Sequence, residues 1–164
     1  MKQWIKTQNG VYEFRVNEQK IGTMNIAQAT MKRKAIVQLQ DQTFTIKRTG
    51  FWKSSISITD QHEVSVAEIY PTKWYANSYT MDFNGKHYSL SARNNPLAEW
   101  VISEGKSELI AYGLQAMDGK VFVKITGSET SDYLFDALLW YLFLPIAMEN
   151  GGDNLFFIML LATQ

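Results

Sequence analysis

A chain of 164 residues, 46% hydrophobic and 20% charged, has the size and composition of one globular domain, which excludes a disordered, collagenous or low-complexity chain. Lys and Arg number 16 and Asp and Glu 16, so no global field draws the protein toward nucleic acid or an anionic membrane, and no nucleic-acid partner is expected. Without Cys there is no disulfide framework and no thiolate nucleophile, and two His are too few for a zinc site of the usual Cys/His kind.

The opening stretch Met1–Asn9 carries charge but no apolar run and no small-residue cleavage site, so no export signal is expected. Tyr12, Phe14 and Val16 then alternate with Glu13 and Arg15, the period of a strand with one wet face. The same period recurs at Val37 and Leu39, Phe44 and Ile46, Ile56 and Ile58, and Val64 and Val66. It returns at Tyr79, Met81 and Phe83, at Tyr88 and Leu90, and at Val121, Val123 and Ile125. Looser runs lie at Ile21–Ile26, Trp100–Ile102 and Leu109–Tyr112. Asn9-Gly10, Asn84-Gly85 and Asp118-Gly119 supply the positive φ that tight hairpins demand. Pro71 and Pro96 fall between strands. The spacing predicts about eleven or twelve short strands in a meander, which must close or pack on something to hide its edges.

A shift of 44 residues carries one strand group onto another: Val37 onto Met81, Phe44 onto Tyr88, Ile56 onto Trp100, Ile58 onto Ile102, Val66 onto Ile110 and Ala67 onto Ala111. Hydrophobic class is kept while identity is almost lost, the pattern either of a sheet built from duplicated four-strand units or of a meander that matches itself at some shift.

After residue 127 the character changes. Ser131 or Asp132 can cap a helix, and from Tyr133 to Met148 every position is apolar or aromatic except Asp136 and Pro145. A helix that is hydrophobic all round belongs in a membrane or wholly inside a protein. This run is shorter than the roughly 20 residues that span a bilayer and is broken by Pro145. The expected architecture is therefore a closed antiparallel barrel of about twelve strands around a central helix at about 132–148, all one domain over 1–164. A second apolar run, Leu155–Ala162, follows the polar Glu149–Asn154.

A meander followed by Asp132-Tyr133-Leu134-Phe135 and Ala137-Leu138-Leu139 resembles the tubby C-terminal-like superfamily. The Gly119-Lys120-Val121-Phe122 hairpin and the Phe44-x-Ile46 strand leading to Gly50-Phe51-Trp52 support the resemblance. Its branches include the tubby proteins, the phospholipid scramblases and the plant LURP-one-related proteins, the last being nearest in size. The resemblance implies a twelve-stranded barrel wrapped around a hydrophobic helix, and a binding module rather than an enzyme. No tubby phosphoinositide motif and no scramblase calcium motif can be laid onto this chain.

Chemistry is scarce. Asp132 and Asp136 stand at i and i+4, on one helix face, where two carboxylates could bind a cation or share a proton. The favoured reading buries both, with Asp132 capping the helix and Asp136 meeting a Lys, Arg, Tyr or Trp donor from the barrel wall. His62 and His87 sit beside strand turns with no neighbouring Cys. No phosphate loop, nucleophile elbow or HExxH occurs, so no catalytic residues, metal or cofactor are expected. Two basic clusters remain: Lys32, Arg33 and Lys34, and then Lys47, Arg48 and Lys53 flanking Phe51 and Trp52. Bases beside aromatic rings at a loop tip suit a phosphorylated headgroup or a membrane interface. The alternative is that Phe51 and Trp52 plug one end of the barrel while the Lys and Arg side chains stay solvated. The expectation is a cytoplasmic, non-enzymatic binding module for anionic lipid or another phosphate-bearing ligand, peripheral at a membrane if lipid is bound. The competing expectation is an interaction domain that forms a homo-oligomer through its apolar tail at 155–162.

Overall fold

The computed structural model describes residues 1–27, 34–49, 55–73, 77–94, 97–127 and 132–151. Twelve strands come first: β1 (Lys2–Gln8), β2 (Val11–Val16), β3 (Gln19–Ala27), β4 (Lys34–Leu39), β5 (Gln42–Thr49), β6 (Ser55–Asp60), β7 (Ser65–Pro71), β8 (Ser78–Phe83), β9 (Lys86–Asn94), β10 (Ala98–Glu104), β11 (Ser107–Met117) and β12 (Lys120–Gly127). One helix, α1 (Tyr133–Gly151), follows. Each strand pairs antiparallel with the next in sequence order, and the sheet curls into a nearly closed barrel. Among the described residues no ladder joins β12 back to β1, which leaves a single seam.

The period of two decides what fills the barrel. In β4, Ala35, Val37 and Leu39 are buried while Lys34, Ile36 and Gln38 are exposed. Asn84-Gly85 and Asp118-Gly119 hold positive φ at both turn positions, as a type I′ hairpin requires. Asn17 and Glu18 do the same between β2 and β3 without a glycine, and for that reason the turn is silent in the sequence.

Three expectations are corrected. Strand β1 is hidden from pattern reading because its inward positions are Lys2 and Trp4, a charge where the period wants an apolar residue. In β7 the buried residues are Ala67 and Ile69, while Val64 precedes the strand and is 59% exposed. An irregularity in the β6–β7 register between Ile58 and Thr59 inserts one residue, and one residue reverses every side chain that follows. Third, Pro145 does not break the helix, which runs through it to Gly151, past the expected end at Met148.

The internal repeat is visible in the ladders. Lys34↔Lys47 and Leu39↔Gln42 in β4–β5 correspond to Ser78↔Ser91 and Phe83↔Lys86 in β8–β9, and Gln40 and Asn84 share the same positive φ. The match slips at the fourth strand. Ile58 pairs with Ala67 but Ile102 with Ile110, so Ala67 corresponds to Ile110 and not to Ala111.

Helix α1 fills the barrel. Every residue from Leu134 to Leu144 is buried, about three turns with no wet face. Rings from opposite walls converge on it: Phe14 of β2 meets Tyr133, Trp4 and Tyr12 meet Trp140, and Phe83 and Tyr88 of β8 and β9 meet Phe135. Met148, Glu149 and Asn150 are exposed where the helix leaves.

Close packing of the wall is tested at Gly22 of β3. A Cβ there would lie 2.1 Å from the Gln38 carbonyl oxygen and 2.9 Å from Leu39 Cδ2, a clash with backbone that cannot rotate away. Gly22→Ala should cost about 1–3 kcal/mol in urea unfolding, the range of overpacking. Gly85→Ala, with nothing within 4 Å but φ at +73°, should cost only about 1–2 kcal/mol of left-handed strain. A Gly22→Ala midpoint equal to that of the parent would refute the close approach.

Candidate functional site

Among the described residues the barrel interior holds one charged network. Lys2 of β1 and Tyr112 of β11 both face inward, and Asp136 projects from α1 between them. Lys2 Nζ donates to Asp136 Oδ2 at 2.8 Å, and the Tyr112 hydroxyl donates to Oδ1 at 2.8 Å. Trp4 Nε1 donates in turn to the Tyr112 oxygen at 3.1 Å. Asp136 thus has the donors expected of it, supplied by a Lys and a Tyr. Burial pushes its pKa up to about 6, against the opposing pull of the Lys2 charge and the Lys2 and Tyr112 hydrogen bonds. Burial, with the Asp136 charge next, pushes the Tyr112 hydroxyl well above its ordinary range, so it stays a donor. The network links an edge strand, the penultimate strand and the helix across the seam. Its chemistry is that of a tie.

Asp132 departs from the expectation of a buried carboxylate. It is exposed at the mouth of the barrel, one residue before α1, where its Oδ1 accepts the Leu134 N–H at 2.9 Å. A cap must stand outside the helix to reach back to it, so only Asp136 enters the core. His62 is exposed in the β6–β7 turn, and His87 is exposed near the start of β9 against Asp82. Among the described residues no three His, Asp or Glu are grouped as a metal site.

Of the predicted ligand-binding residues, Lys32, Arg33, Phe51, Trp52 and Lys53 lie outside the described residues, as does the apolar tail at 155–162. Lys34 stands at the start of β4, and Lys47 and Arg48 near the end of β5, all three exposed at one end of the barrel. The ladder sets Lys34 directly opposite Lys47, two like charges on the outer face. Four other outward bases have acids: Lys20 and Arg15 meet Glu13, Lys86 meets Glu104, and Arg93 bridges Glu99 and Glu108, while exposed Lys6 and Lys106 make no ion pair among the described residues. Lys34, Lys47 and Arg48 make no ion pair among the described residues.

A signal for this lay in the sequence and is lost in the net charge. Between residues 19 and 59 stand Lys20, Lys32, Arg33, Lys34, Lys47, Arg48 and Lys53 against Asp41 alone. Strands β3, β4 and β5 contain no acid, and β6 has only Asp60, at its far end. Overall neutrality therefore conceals a basic sector.

The opposite end carries a cavity of about 510 Å³ that no local motif announced. Its walls come from the β4–β5 turn, the β6–β7 turn, the β8–β9 turn and the first residues of α1. Nothing in the sequence places those four segments together except the barrel itself.

No family model, no curated protein and no solved structure matches the chain. Among the described residues no helix is long and apolar enough to cross a membrane.

Proposed function

We propose that the protein is a non-enzymatic binding module whose basic end docks on an anionic lipid surface, peripheral to the membrane on its cytoplasmic side. The observation that carries this reading is the like-charged pair Lys34↔Lys47 with Arg48 beside it, three exposed bases gathered at one end of the barrel with no ion pair among the described residues. Facing like charges cost stability unless a counter-charge is supplied, and a sheet of phosphates supplies it. Strand direction brings exposed Met117 and Val121 to the same end, where α1 also leaves the barrel. Such apolar side chains enter an interface while the bases stay at headgroup level. The helix terminus contributes about half a negative charge, and Asp118 and Glu149 stand at the same end, but neither carboxylate pairs with these three cations among the described residues. The resemblance carried by Asp132-Tyr133-Leu134-Phe135 to the tubby C-terminal-like proteins supports the same reading.

Co-sedimentation with phosphatidylserine-containing vesicles tests it. The parent protein should bind these and not neutral phosphatidylcholine vesicles, with affinity falling as salt rises. Each base near such a surface contributes about 1 kcal/mol, so changing Lys34, Lys47 and Arg48 together to Ser should weaken binding by roughly a hundredfold or more. The variant loses a repulsive pair and should fold as well as the parent by circular dichroism. A parent that ignores anionic vesicles, or a triple variant that binds undiminished, would reject this function.

A further inference from the structure

We propose that the cavity at the other end binds a small organic cation with an apolar body, such as an alkylammonium. Its volume of about 510 Å³ lies inside the range of about 300–1,000 Å³ typical of ligand sites. The floor is apolar: Leu39, Phe44, Phe83 and Leu134 line it and are themselves buried, with half-buried Tyr133 adding a third ring. Among the described residues the charged side chains lining it are Asp60 and Asp132, and no Lys or Arg does so.

Both carboxylates are held in place. Asp60 Oδ1 accepts the His62 and Val64 N–H groups at 2.8 and 2.9 Å, and Asp132 Oδ1 accepts the Leu134 N–H at 2.9 Å. Neither forms an ion pair among the described residues. A helix N-terminus alone would favour an anion, but its half positive charge is already met by the full charge of Asp132. With Asp60 added, the cavity is net negative and lined by the rings of Phe44, Phe83 and Tyr133. Rings and fixed carboxylates around a hydrophobic floor are the surroundings that hold an ammonium group whose alkyl body fills the floor. This site takes the opposite charge to the basic end and lies across the barrel from it, so each can fail without the other.

Isothermal titration of the full chain with hexyltrimethylammonium, hexanoate and hexanol tests the proposal. The ammonium compound should bind saturably, with hexanoate and hexanol at least tenfold weaker. The double variant Asp60→Asn, Asp132→Asn keeps an oxygen for each of the backbone hydrogen bonds, and Asn caps a helix as well as Asp does. It should therefore remain folded and lose at least tenfold in affinity for the ammonium probe, without gaining hexanol binding. Absence of saturable binding, equal binding of the three probes, or an unchanged affinity in the double variant would each overturn the assignment.

Discussion

Replacing Lys2 by Met should destabilise the barrel by about 3–5 kcal/mol at neutral pH, the loss expected when one partner of a buried ion pair is removed. The reason is Asp136, fully buried in the helix, which would keep one hydrogen bond from Tyr112 and lose its only paired cation among the described residues. The deficit should shrink as pH falls, because a protonated Asp136 needs no cation. Adding Asp136→Asn to Lys2→Met should recover the larger part of the loss, since a neutral amide still accepts from Tyr112. The parent has a pH signature of its own. Asp136 is raised from 3.8 to about 6 in the folded state, so between these values the folded chain holds more protons than the unfolded one. Its contribution is greatest below pH 3.8, declines as pH rises through 6 and is flat above, a span of ~3 kcal/mol. Glu13, lowered mainly by Arg15, and Glu108, lowered by Arg93, work weakly in the opposite sense, since both are exposed or near the surface. The double variant should lack the declining component. Equal stability of Lys2→Met and the parent across pH 4–8, in guanidinium titrations, would show that the tie does not exist.

Trp140→Ala should cost about 3–5 kcal/mol, the loss expected for deleting a large core ring. Trp140 lies at the middle of α1 with no exposure, stacked on Trp4 at 5.5 Å and 5° and edge-on to Tyr12 at 5.5 Å and 72°. Those rings come from β1 and β2, so the deletion empties the space between the helix and the first hairpin. Trp140→Phe should lose less, because among the described residues Trp140 Nε1 has no hydrogen-bond partner and the change removes only part of the ring volume. Met148→Ala, on the exposed end of the same helix, should stay within about 0.5 kcal/mol of the parent. Thermal unfolding of the three variants gives the comparison, and a Trp140→Ala loss as small as that of Met148→Ala would place the helix outside the barrel.

The enclosed helix was legible because sixteen nearly unbroken apolar positions leave no solvent face, and only a surrounding wall accommodates that. Most strands were legible because their inward side chains are apolar at every second place. Strand β1 was not, since Lys2 occupies an inward place and its partner lies 134 residues away. Val64 misled because a bulge reverses the faces, and a bulge leaves no mark on alternation. Asp136 announced that it needed a donor, but Lys2 and Tyr112 could be named only once β1 and β11 had been folded against the helix. The basic end was read as two clusters, and the ladder turned Lys34 and Lys47 into one facing pair. The cavity stayed invisible because Leu39, Asp60, Phe83 and Asp132 are neighbours only after the barrel has formed.

Native-state hydrogen exchange of α1 tests the enclosed helix most directly. If the barrel surrounds it, the amides from Leu138 to Leu144 exchange only through global unfolding, with the same free energy and denaturant dependence as those of Ile46, Ile58 and Leu90 in the wall. Exchange of these helix amides through local opening, at a free energy well below that of the strands, would contradict the account.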